Sequence, residues 1–303
     1  MILAAGVAFV LPFELFAFAY AVLGPAHYLT QISWLHNRDY FATGKYDALA
    51  LIIPAIPITW VYVANYAPAI PLASGLTFVA FGSALGAVLL KKPLYKVCLI
   101  IALLISMFFL SGLSSFIIFF TMLLPTIIHV FVFTGFFILF GALKSKSVSG
   151  YASMLVFLGL GITFFVLKPS ASGYVLNDYV KEAVSPFGAL VDTVVYIFDL
   201  DRNWDTTVAI MRFLAYAYTY HYLNWFSKTK VIGWHEMSRV QFIGVSVAYI
   251  ACLTCYGIDY LLGFVVVFFL SLAHVFLEFP LNHVSIMGIG SELKKRLAPT
   301  DRS

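Results

Sequence analysis

The sequence predicts an all-α integral membrane bundle of about nine transmembrane helices, and three observations carry that expectation. Hydrophobic residues make up 62% of the 303 and charged residues only 11%, against roughly 25% charge in a soluble domain. Apolar stretches of about 20 residues, enough to cross a hydrocarbon core of roughly 30 Å as helix, recur along the chain. The basic residues between them alternate: Arg38 and Lys45 follow the first stretch, Lys91, Lys92 and Lys96 the third, Lys144 and Lys146 the fifth, Lys228, Lys230 and Arg239 the seventh, and Lys294, Lys295, Arg296 and Arg302 the ninth. By the positive-inside rule those connections are cytoplasmic. The expected protein is multi-pass in a cell inner membrane, N-terminus outside and C-terminus in the cytoplasm. The net charge of +4 then reflects orientation, and nucleic acid is not an expected partner.

In order, the stretches are 5–26, 48–67, 70–90, 94–111, 114–142, 149–168, 206–226, 240–258 and 260–279. The first lacks a basic n-region and a cleavage pattern, so it reads as a retained helix. Glu14 within it is expected to meet a hydroxyl or an imidazole, and Gly24-Pro25 to kink its end. In the third, Gly82-x-x-x-Gly86 permits close helix contact. Only Ser111-Gly112-Leu113-Ser114-Ser115 parts the fourth from the fifth, the weakest division of the nine. The connection 169–205 is acidic, with Asp178, Glu182, Asp192, Asp199, Asp201 and Asp205 against Lys181 and Arg202, and is expected as a short-helix or interfacial cap on the outer face. Cys252-x-x-Cys255 in the eighth has no second pair and an apolar setting, which favours packing over chemistry. Residues 1–285 thus read as one transmembrane domain and 286–303 as a basic cytoplasmic tail.

Of the seven histidines, His36, His235 and His283 fall in or near cytoplasmic connections, where solvated or headgroup roles are expected. His27, His129, His221 and His274 fall inside spans one, five, seven and nine, which all run from outside to inside. Ionisable groups at such depth are expensive to desolvate and are functional by default. One buried histidine is structural about as often as functional, but four from helices of one direction point to a shared metal site. Gln31 lies four after His27 and Glu278 four after His274, on the same helical faces. Both are side chains suited to holding the second nitrogen of a metal-bound imidazole. Pro125, four before His129, removes a backbone bond and is expected to kink the helix beside the imidazole. Neutral imidazoles suit iron, zinc and copper, and iron with open positions activates oxygen next to an apolar substrate. Tyr218, Tyr222 and Trp225 are expected to line the chamber for that substrate.

The segments Gly24-Pro-Ala-His27-Tyr-Leu-Thr-Gln31, Pro125-Thr-Ile-Ile-His129-Val130, Tyr218-Thr-Tyr-His221-Tyr-Leu-Asn-Trp225-Phe226 and Ala273-His274-Val-Phe-Leu-Glu278 resemble, in order and setting, the His motifs of the bacterial Brp/Blh-type β-carotene 15,15′-dioxygenases. The resemblance implies that His27, His129 and His221 are iron(II) ligands and that His274 supplies a fourth. Trp225 stands where that family has a second His in the late helix, and Gln31 where it has an Asp, so carotene itself is not assigned as substrate. Three classes of function stay open. They are a His-ligated iron oxygenase acting on an isoprenoid or other apolar lipid, a b-type haem electron carrier, and a transporter or non-enzymatic subunit with a membrane-protein partner.

Overall fold

Pro12 has no backbone N–H and disfavours a helical conformation in the residue before it, so a helix cannot pass smoothly through Leu11. In the computed structural model, which describes residues 1–167, 170–171, 173–229, 233 and 237–297, Leu11 takes φ −128° and ψ 61°. Helix α1 (Ile2–Val10) consequently meets α2 (Pro12–His36) at a bend of 119°. The first expected span, 5–26, is therefore not one straight helix. Within α2 the backbone widens into a π turn over Ala19–Leu23, directly before Gly24 and Pro25, where the wider winding accommodates the donor that proline lacks.

The regular elements among the described residues are all helices, with no strand. After α3 (Asp47–Val63) come α4 (Ala67–Leu89), α5 (Pro93–Leu110), α6 (Ser114–Ser145) and α7 (Val148–Val166). Two short helices, α8 (Asp178–Val184) and α9 (Gly188–Ile197), precede α10 (Trp204–Ser227), α11 (Arg239–Ile258) and α12 (Tyr260–Leu297). Six of these, α4, α5, α6, α7, α11 and α12, are long and apolar enough to cross a membrane, and the bent α1–α2 pair makes a seventh if taken as one span. The region 94–142 is two helices, separated at Ser111–Leu113.

Two of the nine expected stretches depart from that pattern for identifiable reasons. Helix α3 has 17 residues, which at 1.5 Å each reach about 25 Å. Helix α10 is long enough at 24 residues but carries Arg212 and many hydroxyls. It lies inside the bundle, buried at nearly every position from Thr206 to Tyr222, so it need not present a uniformly apolar surface to lipid. Its opposite is α5, apolar beyond Lys96 and with no buried residue. Helix α12 runs to Leu297, past the expected end at 279, so 286–297 continue as helix; 298–303 lie outside the described residues.

Packing places α10 and α12 at the centre. Helix α10 packs on α1, α2, α6 and α7, and α12 on α2, α3, α4, α6 and α11. At the α4–α5 contact a Cβ on Gly82 or Gly86 would meet the side chain of Leu103 or Leu99 at 2.7 or 2.5 Å, which is the close approach that small residues allow. Helices α8 and α9 cover one end of the bundle through buried Leu190, Val191 and Val194, and Phe187 between them sets its ring edge-on to Phe16 and Tyr20, at 4.7 Å from each. The Tyr260 hydroxyl donates to the Ala183 carbonyl at 2.6 Å. Glu14 accepts a hydrogen bond from the Tyr174 hydroxyl; burial first, then that carboxylate, pushes the Tyr174 phenol up from its ordinary range. Cys252 is buried as a free thiol and Cys255 half-buried.

Candidate metal centre

The four helices at the centre each contribute one imidazole. His27 lies one turn into the second half of α2, after the π turn and Gly24-Pro25. His129 sits on α6 within a long π segment, Phe119–Phe133, that contains Pro125. The kink expected at Pro125 is thus spread over a widened helix. His221 comes from α10 and His274 from α12. Their exposures are 1%, 1%, 6% and 2%, so all four are cut off from solvent.

The side chains converge. His27 and His221 face each other with Nε2 atoms 3.1 Å apart, and His129 and His274 do the same at 3.2 Å. Ring centroids of His27 and His274 are 5.3 Å apart, and those of His129 and His221 5.0 Å. His27, His221 and His274 each offer a nitrogen within 4.8 Å of the other two, a set able to hold a metal ion. Two facing Nε2 atoms cannot both present lone pairs at such a distance without a proton or a cation between them. Helices α2 and α12 run in the same direction here, because Gln31 and Glu278, each one turn beyond its histidine, also meet: the Gln31 amide donates to the Glu278 carboxylate.

That last bond corrects one expectation. Gln31 and Glu278 close on each other rather than on imidazole nitrogens. Among the four clustered imidazoles and the described residues, His221 alone has a side-chain partner for its second nitrogen, with Nδ1 2.7 Å from the Thr134 hydroxyl. Thr134 was not singled out in the sequence because it lies five residues after His129, off its face in an α-helix. Winding of the π type stacks residues five apart, and so brings both toward the interior. The aromatic neighbours are specific too. Tyr28 stacks on His274 with centroids 4.2 Å apart and planes at 22°, and its hydroxyl lies 2.5 Å from that of Tyr222. Tyr222 and Trp225 lie against His27 at 5.0 and 5.6 Å, while Trp225 donates its indole N–H to Thr30 at 3.1 Å.

Beside the cluster is a cavity of about 470 Å³, within the size range of ligand sites. Its wall includes Pro125 and Thr126, Tyr218, and Ser271 and Leu272, each three or four residues before one of the histidines or next to such a residue. The cavity therefore lies on the N-terminal side of the histidine layer and under the α8–α9 cap, whose Pro186 and Phe187 also line it. Of the three residues expected along a substrate chamber, Tyr218 lines this cavity, whereas Tyr222 and Trp225 wall the histidines. No charged side chain is among the described lining residues.

Of the other three histidines, the two that are described, His36 and His283, do not join the cluster. His36 is exposed near the end of α2, and His235 lies outside the described residues. His283, expected in solvent or headgroups, is instead buried on α12 at 8% exposure, with Nε2 2.9 Å from the Phe81 carbonyl. The reason is the extension of α12, which keeps that turn packed against α4. On the same side as Gln31 and Glu278, Lys228 is half-buried at the end of α10. Burial lowers its ammonium from the ordinary range, and the Glu278 carboxylate acts in the opposite sense. In comparisons with known proteins, no family model, no curated protein and no solved structure matches the chain.

Proposed function

We propose that the chain is a membrane oxygenase with a histidine-bound metal, iron(II), that acts on an apolar isoprenoid or other lipid held in the cavity. The observation that carries this reading is the convergence of four buried imidazoles from four helices beside an apolar cavity. A packing histidine needs one or two hydrogen bonds and no second imidazole. Metal–nitrogen bonds of about 2.0–2.1 Å in a tetrahedral or octahedral shell put neighbouring nitrogens roughly 2.9–3.4 Å apart, and the facing pairs here stand at 3.1 and 3.2 Å. Iron is favoured by the sequence resemblance and by the pairing of an all-imidazole donor set with an apolar chamber.

Bound iron would supply oxygen activation and Lewis acidity. The protein's own part is to position and to exclude water. His27, His129, His221 and His274 hold the ion, Thr134 orients His221, and the Tyr28–Tyr222 pair closes the space around the rings. Tyr218, Thr126 and Ser271 line the cavity without bringing a charge, which suits a neutral lipid. The geometry disfavours the haem alternative, since axial ligands on opposite sides of one iron must stand about 4 Å apart with a porphyrin between them.

Elemental analysis and an absorption spectrum of the purified protein test the reading: about one iron per chain and no Soret band are expected, and a transition-metal-free protein would sink it. A chemical probe tests the cavity. A neutral diazirine-tagged polyene is expected to label cavity-wall peptides containing Thr126 or Ser271. Ala67→Trp, at the exposed rim of the cavity, is expected to cut that labelling about tenfold, equivalent to roughly 1.4 kcal/mol of binding; equal labelling would mean that this cavity is not the entry.

For the membrane arrangement we infer nine crossings, with α3 as a short crossing, α10 as one shielded by its neighbours, and the acidic α8–α9 segment outside. Support comes from the alternation of basic connections. Val175 and Ser145 are both exposed, so a cysteine at Val175 is expected to react with an impermeant thiol reagent in intact cells and one at Ser145 to stay unlabelled. Reversed labelling would invert the topology.

A further inference from the structure

We propose that the metal ion reaches the histidines through a transit site of oxygen ligands, Glu278, Gln31 and Asn282, between α2 and α12; this rests on the metal-centre reading above. A buried centre has to be loaded, and its two sides differ. On the N-terminal side stands the cavity, whose described lining has no charged residue, so a divalent cation entering there would give up hydration and gain no anionic ligand.

On the C-terminal side the chemistry is the reverse. Gln31 and Glu278 lie one turn beyond His27 and His274, and Asn282 one turn beyond Glu278, in steps of about 6 Å along the helix axis. Their exposures are 2%, 0% and 1%. The Gln31 amide donates to one Glu278 oxygen. The other oxygen of Glu278, the amide oxygen of Gln31 and both polar side-chain atoms of Asn282 have no partner among the described residues. Unpaired buried acceptors are costly and call for an explanation. Three oxygens, one of them from a carboxylate, are a donor set for a hard divalent cation. A first-row transition metal would pass from them to the imidazoles, which suit it better. Lys228, half-buried just past the end of α10 on the same side, sets a positive charge near this path and acts as a brake.

The test is the rate at which metal-free protein takes up Co²⁺, followed by its visible absorption, together with the final stoichiometry. Glu278→Gln and Asn282→Leu are expected to slow uptake about tenfold or more, the scale of losing electrostatic steering, with the same final cobalt content as wild type. Lys228→Gln is expected to speed uptake, and Thr126→Val on the cavity wall to leave it unchanged. Wild-type rates in both Glu278→Gln and Asn282→Leu would overturn the transit site. So would a lowered final content in Glu278→Gln, which would make Glu278 a ligand of the centre itself. If Glu278→Gln does not fold, Asn282→Leu alone decides. A wild-type protein that takes up no cobalt would overturn the metal centre itself, a result distinct from unchanged rates.

Discussion

His221→Gln is expected to leave a folded protein that has lost most of its metal. The side chain sits at the meeting point of the site, with Nε2 3.1 Å from that of His27 and Nδ1 2.7 Å from the Thr134 hydroxyl. Glutamine retains a polar end that can still bond to Thr134, so a histidine present only for packing would be replaced at little cost. As a ligand, it cannot. Loss of even a partner outside the coordination shell typically weakens metal binding about 10–100-fold, and loss of a ligand is expected to exceed that. Metal content of the purified variant, with thermal unfolding as a check on folding, decides the matter. His36→Gln, at an exposed position outside the cluster, is the control and should retain the wild-type content. A His221→Gln protein with full metal would reduce His221 to a packing residue.

Thr134→Val is expected to lower metal affinity about 10–100-fold without removing any ligand. Valine keeps the branched shape and lacks only the hydroxyl. When Nδ1–H of His221 donates to Thr134, the Nε2 lone pair is left facing the other imidazoles, which is the tautomer a metal requires. Without the hydroxyl, the proton is free to sit on either nitrogen and the ring to turn. Thr134→Ser should restore the affinity because it restores the oxygen. Imidazole ¹⁵N shifts in the metal-free protein provide a reading that simple packing damage would not alter: a single Nδ1–H tautomer for His221 in wild type and in Thr134→Ser, and a mixture in Thr134→Val. Unchanged affinity in Thr134→Val would remove Thr134 from the site.

Some of this was visible in the chain before it folded. Low charge and repeated apolar stretches are properties of composition, and lipid as solvent leaves helix as the way for an open chain to satisfy its backbone. The depth of His27, His129, His221 and His274 within those stretches marked them, because a polar group there needs a reason whatever the packing. Pro125 carried a local signal as well, the consequence of a missing N–H, and its segment became a π helix; Pro12 was not read as a break, and the first stretch became two helices bent by 119°.

Which groups face each other depends on helix packing. No spacing in the sequence pairs His27 with His221 or His129 with His274, since partners 194 and 145 residues apart are set by how four helices pack. Likewise, the i to i+4 rule placed Gln31 beneath His27 and Glu278 beneath His274, but not the bond between the two, which depends on the register of α2 against α12. Thr134 escaped notice because α-helical periodicity turns it away from His129, and the backbone there is not α-helical. The position of His283 after an apolar stretch points to solvent or headgroups, while α12 continues and keeps it against α4. The apolar stretches, the helices and the candidate ligands follow from local composition and period. Their pairing, the cavity beside them and the oxygen-lined side opposite it arise from contacts between helices distant in sequence, whose energies depend on register and direction that no local pattern encodes.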